Sequence, residues 1–80
     1  MNTHCVNSIK QINKKLAPII LALIEKGYNP VTQLAGYVLT GDPTYITNHR
    51  HARTLIVKID RYLILEALLH NYLQDKINQG

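Results

Sequence analysis

Glu25-Lys26-Gly27-Tyr28-Asn29-Pro30, followed by Gly41-Asp42-Pro43, decides the architecture, because it twice sets a helix stop beside a helix start. Gly27 can take the left-handed conformation that ends a helix, Asn29 is a side-chain N-cap, and Pro30 suits a first helical position. Gly41 and Asp42-Pro43 repeat the signal. The pattern predicts a helix ending before Gly27, a second of roughly ten residues closed by Gly41, and a brief helical turn over Thr44 to Thr47.

Upstream of this stretch, Ile9, Ile12, Leu16, Ile19, Ile20, Leu23 and Ile24 recur at spacings of three and four, the mark of one helical face. Pro18 lies inside that helix and removes a backbone donor, so a kink or a late start is expected. Between the caps, Val31, Leu34, Ala35 and Val38 make the apolar stripe of helix two. From about Asn48, Ala52, Leu55, Ile56, Ile59 and Leu63 mark a third, with Arg50, Thr54 and Arg61 on its opposite side. Beyond Asp60 the chain is apolar nearly all round as far as Leu73. Leu63, Leu65, Leu68, Leu69 and Tyr72 cannot all face one small core, so this helix is expected to form a homodimer interface burying more than about 1,000 Å².

The fold class read from these elements is all-α, a compact homodimeric bundle of four to five short helices. Residues 1–7 are expected to form a flexible N-terminal tail, 8–77 a single helical domain, and 78–80 a flexible C-terminus. The 80 residues leave room for one domain, and a 46% hydrophobic content excludes a disordered tail. A core of this size rarely supplies more than about 3 to 5 kcal/mol, so a staple is expected. Cys5 is the only cysteine, which excludes an intrachain disulfide, fits a reducing cytoplasm and leaves oligomerisation. Leu16 to Ile24 is under half of the roughly 20 apolar residues needed to span a bilayer. Lys10, Lys14 and Lys15 ahead of it imitate a signal peptide without a small-residue cleavage site.

Little here suits catalysis. The five acids are scattered, Asp42 and Asp60 stand where caps are needed, and Cys5 has no cationic cluster to activate it. His49 and His51, two apart, point different ways on a helix, and no further ligand lies at metal spacing, so neither metal nor cofactor is expected. The basic residues group better. His49, Arg50, His51, Arg53, Lys58 and Arg61 are opposed in that stretch only by Asp60, which gives either a solvated helix face or a surface for an anionic partner. Two short helices joined at Gly41-Asp42 have the outline of a helix-turn-helix, the alternative reading being a small nucleic-acid-binding protein. Pro43-Thr44-Tyr45 argues against it, because a recognition helix presents Arg, Asn, Gln or Ser in its first turn.

Glu25-Lys26-Gly27-Tyr28-Asn29-Pro30, Gln33, Gly36-Tyr37, Gly41-Asp42-Pro43, Tyr45-Ile46, His49, Ala52-Arg53 and Ile56 together resemble the IreB family of small regulatory phosphoproteins, to which the ReoM proteins belong. The likeness spans about Leu16 to Leu73. It implies a cytosolic, non-enzymatic, all-helical homodimer from low-GC Gram-positive bacteria. Such proteins are substrates of a PASTA-repeat Ser/Thr kinase and its cognate phosphatase. They control envelope homeostasis, in one branch by helping a Clp protease destroy the enolpyruvyl transferase that begins peptidoglycan synthesis.

The resemblance implies partner binding on the basic helix, carried here by Arg53 and Arg61 with His49, Arg50 and Lys58. Asn48 and Val57 stand where the family usually has basic residues. Val57 is an apolar β-branched residue on the polar face, suited to extending a contact surface. Tyr62 replaces the family's usual Asp, so either helices three and four run together or Asp60 supplies the cap. Pro18 has no family counterpart. The leader is basic rather than acidic, and Thr3 is the phosphorylation candidate by location, the other threonines falling within the helical framework.

Overall fold

The computed structural model describes the backbone of residues 3–79 and the side chains of residues 9–74 and 76. It contains four α-helices and, among the described residues, no strand: α1 Thr3–Glu25, α2 Pro30–Thr40, α3 Ala52–Ile56 and α4 Arg61–Gln79. Single 3₁₀ turns, Pro43–Tyr45 and His49–His51, connect α2 to α3.

The 23-residue α1 is the spine, with α2, α3 and α4 all packed on it. It runs unbroken through Pro18 and begins at Thr3, so the late start is not observed and backbone placed in the tail is helical. No Gly or Pro occurs between Thr3 and Ala17, and Pro18 is exposed, where water can serve the carbonyl that loses its donor. Residues 78 and 79 are likewise helical, while Met1, Asn2 and Gly80 lie outside the described residues.

Ile12, Leu16, Ile19 and Leu23 bury the stripe of α1 against Leu34 and Tyr37 of α2, Ile46 of the connection, Ala52 and Ile56 of α3, and Ile64 and Ala67 of α4. Gly36 permits one close approach. A Cβ there would run into the Tyr45 ring, which lies across α2. Asn13 of α1 and Asn71 of α4 exchange two amide hydrogen bonds, of 3.3 and 3.0 Å, outside the core.

The caps fall where the sequence sets them. Asn29 Oδ1 accepts from the Val31 and Thr32 N–H groups at 2.9 and 3.4 Å. Gly41 closes α2 with φ of 78°. Asp60 Oδ1 accepts the Tyr62 N–H at 2.8 Å, so α3 and α4 stay separate with Asp60 as the cap.

Three expectations are corrected. Helix three does not run from Asn48, because Arg50 and His51 take left-handed conformations (φ 53° and 62°) that confine α3 to five residues. The stripe of α2 is rotated. Leu34 and Tyr37 bury, while Val31 and Ala35 face outward, since an aromatic ring buries more area than a valine. Ile24 and Leu55 are also exposed, because neighbouring elements cover only part of each helix's apolar arc.

Ile64 is fully buried and Val57 is 49% exposed. Replacing Ile64 with Ala should therefore cost about 2–5 kcal/mol in urea denaturation, whereas Val57→Ala should stay within about 0.5 kcal/mol.

Candidate binding surface

The basic residues are not deployed as one free face. At the corner after α2, Asp42 Oδ1 accepts from the Thr44 N–H and hydroxyl at 3.0 and 2.7 Å, and Thr40 Oγ1 accepts the Asp42 N–H at 3.1 Å. The Thr44 bonds hold the Asp42 carboxyl below its usual range, with Arg53 adding a weaker pull. This aspartate is a cap, as its position before Pro43 suggests.

The arginines close carbonyls around that corner. Arg53, half-buried, donates from Nε to the Ile46 carbonyl at 2.8 Å, and Arg61 donates from Nη1 to the Val38 carbonyl at 3.0 Å. The Arg61 guanidinium lies against Gly41, where a Cβ would come within 2.8 Å of Cζ. Gly41 thus serves twice, by its positive φ and by leaving room for that bond.

His49 and Arg50 share another partner. Glu25 Oε1, at the end of α1, accepts from His49 Nε2 at 2.6 Å and from Arg50 Nε at 2.8 Å. The Arg50 hydrogen bond, then that of His49, holds the Glu25 carboxyl below its ordinary value, and Glu25 in turn raises Arg50. Left-handed backbone at a residue other than glycine costs on the order of 1–3 kcal/mol, so the pair ties down a strained segment. Among the described residues Lys58 makes no ion pair, and it lines, with Lys15, a groove formed by α1, Leu55 of α3 and the α3–α4 connection.

The expected interface residues divide. Leu63 and Leu68 pack partly on the core, whereas Leu65, Leu69 and Tyr72 are 42%, 49% and 67% exposed. Helix α2 adds a part that the sequence reading missed, since Val31 and Leu39 are 75% and 84% exposed. Leu65 and Leu68 line a shallow apolar groove of about 520 Å³ with Val31, Ala35, Val38 and Leu39. The missed signal was Leu39, an apolar residue off the assigned stripe. Thr3 is the first residue of α1, and its side chain lies outside the described residues.

As for the helix-turn-helix outline, the corner is followed by one 3₁₀ turn and a five-residue α3, too short to present the side chains of a recognition helix. No group of three or more His, Cys, Asp and Glu suited to a metal ion occurs among the described residues. No described helix is long and apolar enough to cross a membrane.

The fold and surface define a small helical domain with an uncovered apolar face and a carbonyl-capped basic corner. Residues 2–74 match the model of the IreB regulatory phosphoprotein family. The chain is also 57% identical over 61 residues to a "UPF0297 protein" of Lachnoclostridium phytofermentans, covering 76% of this chain and 69% of that protein. It belongs to the IreB family of regulatory phosphoproteins.

The Glu25 pair makes stability depend on pH with a definite sign. A carboxyl held below its ordinary value of 4.5 in the folded state contributes fully above that value and is lost as pH falls through the folded one. Glu25→Gln should therefore lower the unfolding midpoint at neutral pH, and the gap from the parent chain should narrow as pH falls below 4.5.

Proposed function

We propose that this chain is a non-enzymatic cytosolic regulator of peptidoglycan homeostasis, controlled by a PASTA Ser/Thr kinase and its phosphatase. It acts as an adaptor for Clp-dependent degradation of the enolpyruvyl transferase. The observation that carries this reading is the family match over residues 2–74, to regulatory phosphoproteins.

The working form is a homodimer joined through α2 and α4, with Leu65, Leu69 and Tyr72 covered together with Val31 and Leu39. Exposed apolar residues on two adjacent helices support this, because a solvated monomer would leave them against water. Partner binding uses the basic side of the molecule, Lys58 foremost. His49, Arg50, Arg53 and Arg61 first hold the corner in shape and then present their remaining N–H groups.

Phosphorylation falls on Thr3. As the first residue of α1, Thr3 sits where the helix dipole favours added negative charge. A phosphate there brings about −1.5 to −2 charge to a chain of formal charge +4 and competes with acidic partners for its basic groups.

Incubation with a PASTA kinase followed by intact-mass and peptide mapping tests this reading. One phosphate on Thr3, absent from Thr3→Ala, is the expected result. An unmodified chain, or a phosphate confined to another residue, would contradict it.

A further inference from the structure

Between α1 and the α3–α4 connection lies a groove of about 300 Å³ whose lining is almost wholly apolar. It is lined by Ile19 and Ile59, both buried, by Pro18 and the 40% exposed Leu55, and by two exposed cations, Lys15 and Lys58. This volume is at the lower limit of small-molecule pockets, and it suits one branched or aromatic side chain better than a cofactor.

We propose that this groove docks an acidic peptide segment of a partner protein, which inserts one Leu- or Phe-sized side chain between the two lysines. The proposal deepens the adaptor reading by naming the contact point and the chemistry it accepts.

Charge selects the occupant. No acid lines the groove, and among the described residues neither Lys15 nor Lys58 makes an ion pair. The lining thus joins two cationic side chains to an apolar slot. A peptide with carboxylates flanking an apolar anchor satisfies both features. The charges speed encounter, and burial of the anchor slows departure.

Pro18 contributes in two ways. Its ring is a rigid part of the lining, and its missing N–H removes the donor that would serve the Lys14 carbonyl in a regular helix. That oxygen is a ready acceptor for a peptide N–H. Val57, 49% exposed beside Lys58, widens the apolar surface next to the groove.

The test is an NMR titration of the isotopically labelled full chain with three blocked peptides. The first is Asp-Glu-Phe-Glu-Asp, the second has Ala in place of Phe, and the third has Asn and Gln in place of the acids. Saturable shifts at the amides of Ile19, Leu55, Lys58 and Ile59 with the first peptide are expected. Each control should bind at least about tenfold more weakly. Lys15→Glu with Lys58→Glu, both exposed positions, should abolish the shifts while the spectrum stays folded.

No saturable shift, equal binding of the Ala peptide, or shifts confined to α2 and α4 would overturn the proposal. A chain that kinase leaves unmodified but that binds the first peptide in this groove would sink the regulatory reading and keep the docking site. A chain phosphorylated on Thr3 without peptide binding would do the reverse.

Discussion

One apolar stripe on α1 must supply the inner surface for every other helix. Ile12, Leu16, Ile19 and Leu23 are all nearly inaccessible, and α2, α3 and α4 all pack on that side of the spine, α2 also resting on α4 and on the 3₁₀ turn Pro43–Tyr45. Transfer of such side chains from water is worth about 1.5–3 kcal/mol each, the largest favourable contribution available to a chain of this length. The same geometry sets what is left over. A single spine covers one side of α2 and one side of α4, so Val31, Leu39, Leu65, Leu69 and Tyr72 remain outside.

The corner between α2 and α4 follows a different logic, because there the backbone, not the side chains, needs partners. Carbonyls at the end of α2 and in the connection are left over once the helix stops, and Arg53 and Arg61 take up those of Ile46 and Val38. Glu25 then holds His49 and Arg50 over the strained turn that starts α3. The cations of one stretch thus divide by task. Arginine suits the carbonyl bonds because its planar fork is always charged and oriented, while a lysine such as Lys58 stays a mobile point charge at the surface.

Which parts of this were legible in the sequence depends on how local their causes are. Asn29, Gly41 and Asp42 act within four residues of themselves, so their roles could be read directly, whereas the sequence left Asp60 as one of two alternatives that the structure decides in favour of a cap. The left-handed turn at Arg50 and His51 carried no signal. Glycine or asparagine would have announced it, whereas here it is held by Glu25, a residue 25 positions from Arg50. The rotation of α2 was equally hidden. Val31, Leu34, Ala35, Tyr37 and Leu39 give two apolar arcs, and only packing decides that Leu34 and Tyr37 turn inward. Spacing likewise grouped Arg53, Lys58 and Arg61 as one candidate surface. Which of them meets a carbonyl is a long-range property that no periodicity contains.

In the homodimer proposed above, a second copy of the chain covers the sides of α2 and α4 that α1 leaves exposed. Sedimentation velocity on the parent chain and on Leu39→Glu, at micromolar concentration, tests it most directly. Leu39 is 84% exposed within one chain, so its replacement leaves the monomer's core untouched. The proposed dimer should give twice the monomer mass for the parent and a single mass for Leu39→Glu, both with the same helical circular dichroism. A parent chain that sediments as a folded monomer would contradict it.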